Sequence, residues 1–218
     1  MHPMWILIPA AIAVALAVGA WRVRSERLRA EALLHWARMH GFEYQSKTTD
    51  LPFRTRLMMR MHGRVSNVLS KSEPGRRTIL LDFRYTVGGK NRHTHRQTLA
   101  ALQRDRRKLP AFELSPESVF HKIGDLFGWH DIDFEHRPEF SAKFLLRSED
   151  EGTVRRFFNG TVLAYFEKHL GWSVETDGEW VVIYRADRRV RPEDLTEFLE
   201  DAEGIEGVLD AAAREIAR

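Results

Sequence analysis

The strongest constraint on this chain is its opening. Met4 to Trp21 is an 18-residue run with no charged or strongly polar side chain, and Arg22, Arg24, Arg27 and Arg29 follow it at once. As a helix at about 1.5 Å per residue the run measures roughly 27 Å, close to the ~30 Å hydrocarbon core of a bilayer. Trp5 and Trp21 bracket it, where indole rings favour the headgroup level. Pro9 falls near the start, where loss of a backbone donor costs least. A cleaved signal peptide is the rival reading, but Met1-His2-Pro3 supplies no basic n-region. The sequence therefore predicts a single transmembrane anchor over residues 1–21, a juxtamembrane helix over 22–41 and a cytoplasmic α+β domain over 42–218.

Orientation follows from the same arginines. Positive flanks stay on the cytoplasmic side, which places the N-terminus outside a bacterial inner membrane and the 197 residues after Trp21 inside. Trp5, Trp21, Arg22, Arg24, Arg27 and Arg29 are the expected membrane-interface residues, with the bilayer as partner through residues 4–21. Ala11, Ala15 and Gly19 share one helical face, a spacing that permits close packing and hence a homodimer. A reducing compartment fits the absence of cysteine, which also excludes thiol catalysis and Cys-ligated zinc.

The remainder predicts an antiparallel sheet with packed helices. Arg22 to His40 continues as a helix with Gly41 as its stop. Thr78 to Val87 alternates in polarity, Gly88-Gly89-Lys90-Asn91 is a turn, and Arg92 to Leu102 returns as its partner. Arg64 to Lys71 adds a third strand. Further strands are expected at Phe42–Gln45, Asp131–Phe134 and Lys143–Arg147, with helices at Pro116–Phe127, after the Ser148-Glu149-Asp150-Glu151 capping pattern as far as Leu170, and from Pro192 to the C-terminus. Asp177-Gly178 predicts a tight hairpin between Trp172–Thr176 and Glu179–Arg185. Residues 46–61 fit neither period.

Net charge +3 hides an asymmetry. Arg22 to Lys108 holds 21 Lys and Arg against 7 Asp and Glu, a net of +14, while Leu109 to Arg218 holds 13 against 24, a net of −11. Two readings are open. The basic half faces anionic lipid headgroups, at up to about 1 kcal/mol per residue, or the two halves complement each other within one fold. Nucleic acid is not an expected partner: no binding motif is present, and Phe83 and Tyr85 share the apolar face of their strand.

Candidate chemistry is sparse. His93 and His95 lie on one strand face at metal-ligand spacing, but Arg92 and Arg96 flank them; His62 and His121 have no placement beside them. Within His130-Asp131-Ile132-Asp133-Phe134-Glu135-His136, strand periodicity aligns Asp131, Asp133 and Glu135, which could hold Mg²⁺ or Mn²⁺ for phosphoester hydrolysis or serve as solubilising charge. There is no Walker-type loop, G-x-G-x-x-G, H-E-x-x-H or G-x-S-x-G. No cofactor, metal or catalytic residue is assigned.

Lys90-Asn91-Arg92-His93-Thr94-His95-Arg96-Gln97-Thr98 after the Gly-Gly turn is one familiar stretch. The other is Asp131-Ile132-Asp133-Phe134 with Pro138-Glu139-Phe140, Phe144-Leu145-Leu146-Arg147 and Asp150-Glu151. Together they resemble uncharacterised bacterial membrane-anchored proteins with an α+β domain of unknown function. The resemblance implies that architecture and a bacterial origin, and transfers no functional residue. The expected function is a non-enzymatic interaction or accessory domain at the cytoplasmic membrane face; the alternative is a metal-dependent hydrolase using the acidic strand 130–136.

Overall fold

A computed structural model describes residues 4–89, 92–105, 108–120 and 130–216, with the side chains of the first helix described from Ala11 onward. Among the described residues, nine strands form one antiparallel sheet in the order β1-β2-β3-β4-β9-β8-β5-β7-β6. They are β1 (Glu43–Gln45), β2 (Arg64–Glu73), β3 (Arg76–Val87), β4 (His93–Arg104), β5 (Phe112–Pro116), β6 (His130–Asp131), β7 (Phe144–Ser148), β8 (Ser173–Thr176) and β9 (Trp180–Tyr184). The helices are α1 (Met4–His40), α2 (Arg56–Arg60), α3 (Glu117–Phe120), α4 (Pro138–Ser141), α5 (Glu151–Phe157), α6 (Gly160–Lys168) and α7 (Leu195–Ile216).

Antiparallel hairpins explain most of the sheet. β2, β3 and β4 pair as a meander, with Gly75 and Gly88 at positive φ beside its turns. Asp177-Gly178 joins β8 to β9: the Asp177 carboxylate accepts from the Glu179 and Trp180 N–H groups, and Gly178 takes φ 105°. One pairing, Leu99 to Gln103 of β4 against Trp180 to Tyr184 of β9, fuses the meander to the second group of strands.

Both faces of the sheet are covered. Leu33, Trp36 and Ala37 of α1 and Phe198, Ala202, Ile205 and Leu209 of α7 close one face over Leu80, Leu102 and Ile183. On the other face, Phe53 and Leu57 pack on Ile79, Leu81, Phe83, Trp180 and Tyr184. The segment 46–61, irregular by sequence, is this second cover. Its presence changes the expected wet face of Thr78–Val87, because Thr78 to Phe83 is buried on both sides.

The structure overturns the membrane-spanning part of the expected fold class. Among the described residues, no helix is long and apolar enough to cross a membrane. The expected single-pass inner-membrane placement, with N-terminus outside and C-terminal domain cytoplasmic, is withdrawn with it. What stands is an α+β antiparallel sheet with packed helices. The expected anchor and juxtamembrane helix form one continuous helix, and its second half belongs to the core.

Smaller differences have local causes. Two helices replace the one expected to reach Leu170: Asp150 caps α5 by accepting from the Thr153 N–H, and Asn159 caps α6 by accepting from Thr161 and Val162. Ser115 and Pro116 end β5, with α3 starting one residue later at Glu117, and β6 stops at Asp131. The rest of the expected Pro116–Phe127 helix beyond Phe120, with His121, Ile123, Leu126 and Phe127, lies outside the described residues. So do Lys90, Asn91 and the side chain of Trp5.

Candidate functional site

A cleft of about 790 Å³ opens beside the free half of β2. β1 covers only Val68 to Ser70 of that strand, so its first residues line an open edge. Gly63 leads into it. A Cβ there would fall 2.3 Å from the Phe83 ring and 2.8 Å from the Arg84 carbonyl oxygen, so only glycine allows this close approach without displacement.

Register then places three arginines side by side. Arg64 of β2 is directly opposite Arg84 of β3, and Arg84 is directly opposite Arg96 of β4. Neighbouring strands lie about 4.8 Å apart, so the ladder is roughly 10 Å long. All three residues are exposed and line the cleft, and none makes an ion pair with a described carboxylate. Lys47 and Arg54 face them from the segment after β1, with Asp50 as the acidic residue of that wall.

The next rung carries the cleft floor. Ser66, Asp82 and Thr98 are mutually opposite on the same three strands. Asp82 is buried, and Arg29 of α1 grips it with two hydrogen bonds of 2.8 Å. Asn67 donates at 2.9 Å, Thr98 at 3.0 Å and Arg189 at 3.1 Å. Asn67 reaches it from a bulge in β2 at φ 51°, where Tyr44 holds its amide oxygen at 2.7 Å. Arg189 also holds Glu26 by two bonds of 2.7 and 2.6 Å. Burial acts to raise the Asp82 pKa, but hydrogen bonds and charge from Arg29, the charge of Arg189 and the Asn67 bond outweigh it and hold the carboxyl below its usual range. Arg29, the last of the expected interface residues, is thus a part-buried tie between α1 and the sheet. Trp21, Arg22, Arg24 and Arg27 are exposed on the projecting part of α1, as are Ala11, Ala15 and Gly19.

A second buried carboxylate lies under α2 on the opposite face. Glu175 accepts from the Arg56 and Leu57 backbone N–H groups at 2.5 and 3.3 Å, and from the Tyr184 hydroxyl at 2.8 Å. Beside it, Arg60 grips Glu113 through two bonds of 2.9 Å. Burial, aided by the charge of Glu113, pushes the Glu175 carboxyl up to about 7, against the pull of its hydrogen bonds. Burial also raises the Tyr184 hydroxyl well above its ordinary value.

The expected metal candidates are not assembled. Asp131, Asp133 and Glu135 are exposed, and neither large cleft includes them. Burial and the neighbouring Asp133 charge raise the Asp131 pKa. His95 pairs with Asp187 and stacks on Tyr85 at 4.9 Å, while His93 is exposed. Among the described residues, no group of three or more His, Asp or Glu is placed to hold a metal ion. Phe83 and Tyr85 are core residues. The charge asymmetry has internal partners: Arg60–Glu113, Arg76–Glu203, Arg104–Glu206 and Arg104–Asp210 all join the basic half to the acidic half.

No family model and no curated protein matches the sequence. A solved structure shares the fold. The crystal structure of the mycobacterial trehalose monomycolate transport factor A, TtfA, superposes with a TM-score of 0.60 at 14% identity, over 83% of this chain and 93% of that one. At that identity the likeness concerns the fold alone. Neither the ladder nor the Asp82 hub was found from sequence, since strand register is needed to bring their members together.

Proposed function

We propose that this chain is a non-enzymatic accessory domain that works by binding a partner through the arginine-lined cleft. The observation that carries the reading is the ladder: three arginines without ion-pair partners among the described residues line one cleft, above a floor held by the Asp82 network. Such a surface is built for recognition. Guanidinium groups bind anions through paired N–H donors and are poor proton acceptors at any physiological pH. TtfA, which shares the fold, is a transport factor by name, and an accessory role is in keeping with that. The metal-hydrolase alternative has less support, because its three carboxylates are exposed and stand outside both large clefts.

Affinity capture from the native host tests this reading. A tagged wild-type chain is compared with the folded triple variant Arg64→Glu/Arg84→Glu/Arg96→Glu. A partner enriched by the wild type and lost from the variant is expected. Equal recovery from both, or a purified chain that turns over a substrate without help, would contradict it.

A further inference from the structure

We infer that the Arg64–Arg84–Arg96 ladder is a binding site for a multiply charged oxyanion of the phosphate class. The inference rests on the cleft being the working surface and adds the chemistry of what occupies it. Like charges directly opposite in a sheet destabilise it, and here the repulsion is repeated across three strands. Relief from nearby carboxylates is partial: Asp82 is held by Arg29 and Arg189, and Glu26, although it feels the charge of Arg96 at one end of the ladder, is held by Arg189. Asp50, exposed on the opposite wall, makes no ion pair with a described cation. A ligand supplying negative charge along the ladder removes this repulsion.

Spacing selects the class. Adjacent strands root the three arginine side chains ~4.8 Å apart, whereas carboxylates on one face of an extended peptide repeat every ~6.6 Å, twice the rise per residue. An acidic strand therefore falls out of step within three rungs. Linked phosphates carry charge at closer intervals, and each tetrahedral group offers oxygens to two neighbouring forks. Lys47 and Arg54 across the cleft add charge on the far side of the same ligand.

Calorimetric titration of the full chain at low salt tests the site, with inorganic phosphate, tripolyphosphate and the tricarboxylate citrate as probes. Tripolyphosphate is expected to bind one per chain, at least about tenfold tighter than inorganic phosphate or citrate. Arg84→Gln, which removes the central rung, is expected to weaken it by roughly tenfold. Arg38→Gln, an exposed arginine of α1 away from the cleft, serves as the control and is expected to leave binding unchanged. Thermal melting provides a second readout. Without ligand, Arg84→Gln is expected to melt above the wild type because the repulsion is relieved, and tripolyphosphate is expected to raise the wild-type Tm by more than that of the variant.

Phosphatidylglycerol vesicles separate the two sources of phosphate. Vesicle binding that tripolyphosphate competes away and Arg84→Gln weakens assigns the phosphate to a headgroup. Tripolyphosphate binding without vesicle binding assigns a free anion. Affinities that Arg84→Gln leaves unchanged, citrate binding equal to tripolyphosphate, or no binding of any probe would overturn the inference. If the wild-type chain still captures a partner that the triple variant loses, only the phosphate assignment fails and the cleft keeps its role.

Discussion

Asp82 and Glu175 are buried carboxylates on opposite faces of one sheet, and they behave in opposite ways. Two guanidinium groups reach Asp82, and its pKa is held down. Glu175 receives only neutral donors, a hydroxyl and two backbone N–H groups, and its pKa is pushed up to about 7. Burial acts against the charge in both. The sign of the outcome depends on whether a cation shares the site. The face under α1 therefore contains a fixed ion-pair network, and the face under α2 a carboxyl poised to change charge near neutrality.

Stability should expose the contrast. Asp82→Ala strands Arg29 and Arg189 in a buried site, and a loss of roughly 3–5 kcal/mol in urea denaturation is expected. Glu175→Gln should act in the other direction above neutral pH. A carboxyl raised from 4.5 to about 7 on folding takes up protons in the folded state, so wild-type stability falls as pH rises through that window and then levels off. The glutamine variant should lose this slope and gain up to about 3 kcal/mol over the wild type at pH 8, the equivalent of the shift at about 1.4 kcal/mol per unit. Asp82 contributes the acid limb. Its depressed value gives stability that is full above the ordinary aspartate range and disappears as pH falls through the folded value, so Asp82→Asn should flatten the wild-type curve below about pH 4.

Glu206 provides an intermediate case. It is fully buried, but its partner Arg104 is about two-fifths exposed and Arg76 lies 3.7 Å away as a second cation. Arg104→Met should cost only about 1 kcal/mol after solvent screening, read from the same denaturation curves. The smallest effect belongs to Arg191, whose pairing with Asp194 is on the surface. Arg191→Ala should leave the thermal midpoint unchanged within error.

Much of the sheet was legible in the sequence, because hairpins are local. Asp177-Gly178 and the alternation along Thr78–Val87 mark their strands without tertiary information. β5 was missed because Ser115 and Pro116 read as the start of α3, which begins at Glu117, while Glu113 and Leu114 pair with β7 and β8 far along the chain. Residues 46–61 have no period because they cover a sheet face mainly as irregular chain around the five residues of α2. The first helix misled for a different reason. A run of apolar residues sets hydropathy, but the exposed apolar residues of α1 precede a half whose Leu33, Trp36 and Ala37 are core and whose Arg29 meets a strand 53 positions away. Arg64, Arg84 and Arg96 were visible as charges within apolar strands; only register made them neighbours.

Residue-specific NMR titration of the side-chain carboxyl carbons of Asp82 and Glu175 tests most directly the claim that nearby guanidinium groups decide the charge of a buried acid here. A Glu175 midpoint near 7, with Asp82 titrating below its ordinary value of 3.8, is the predicted result. If Glu175 titrates near 4.5, or Asp82 above 3.8, the two sites are not the opposites described and the ion-paired floor of the cleft is wrong.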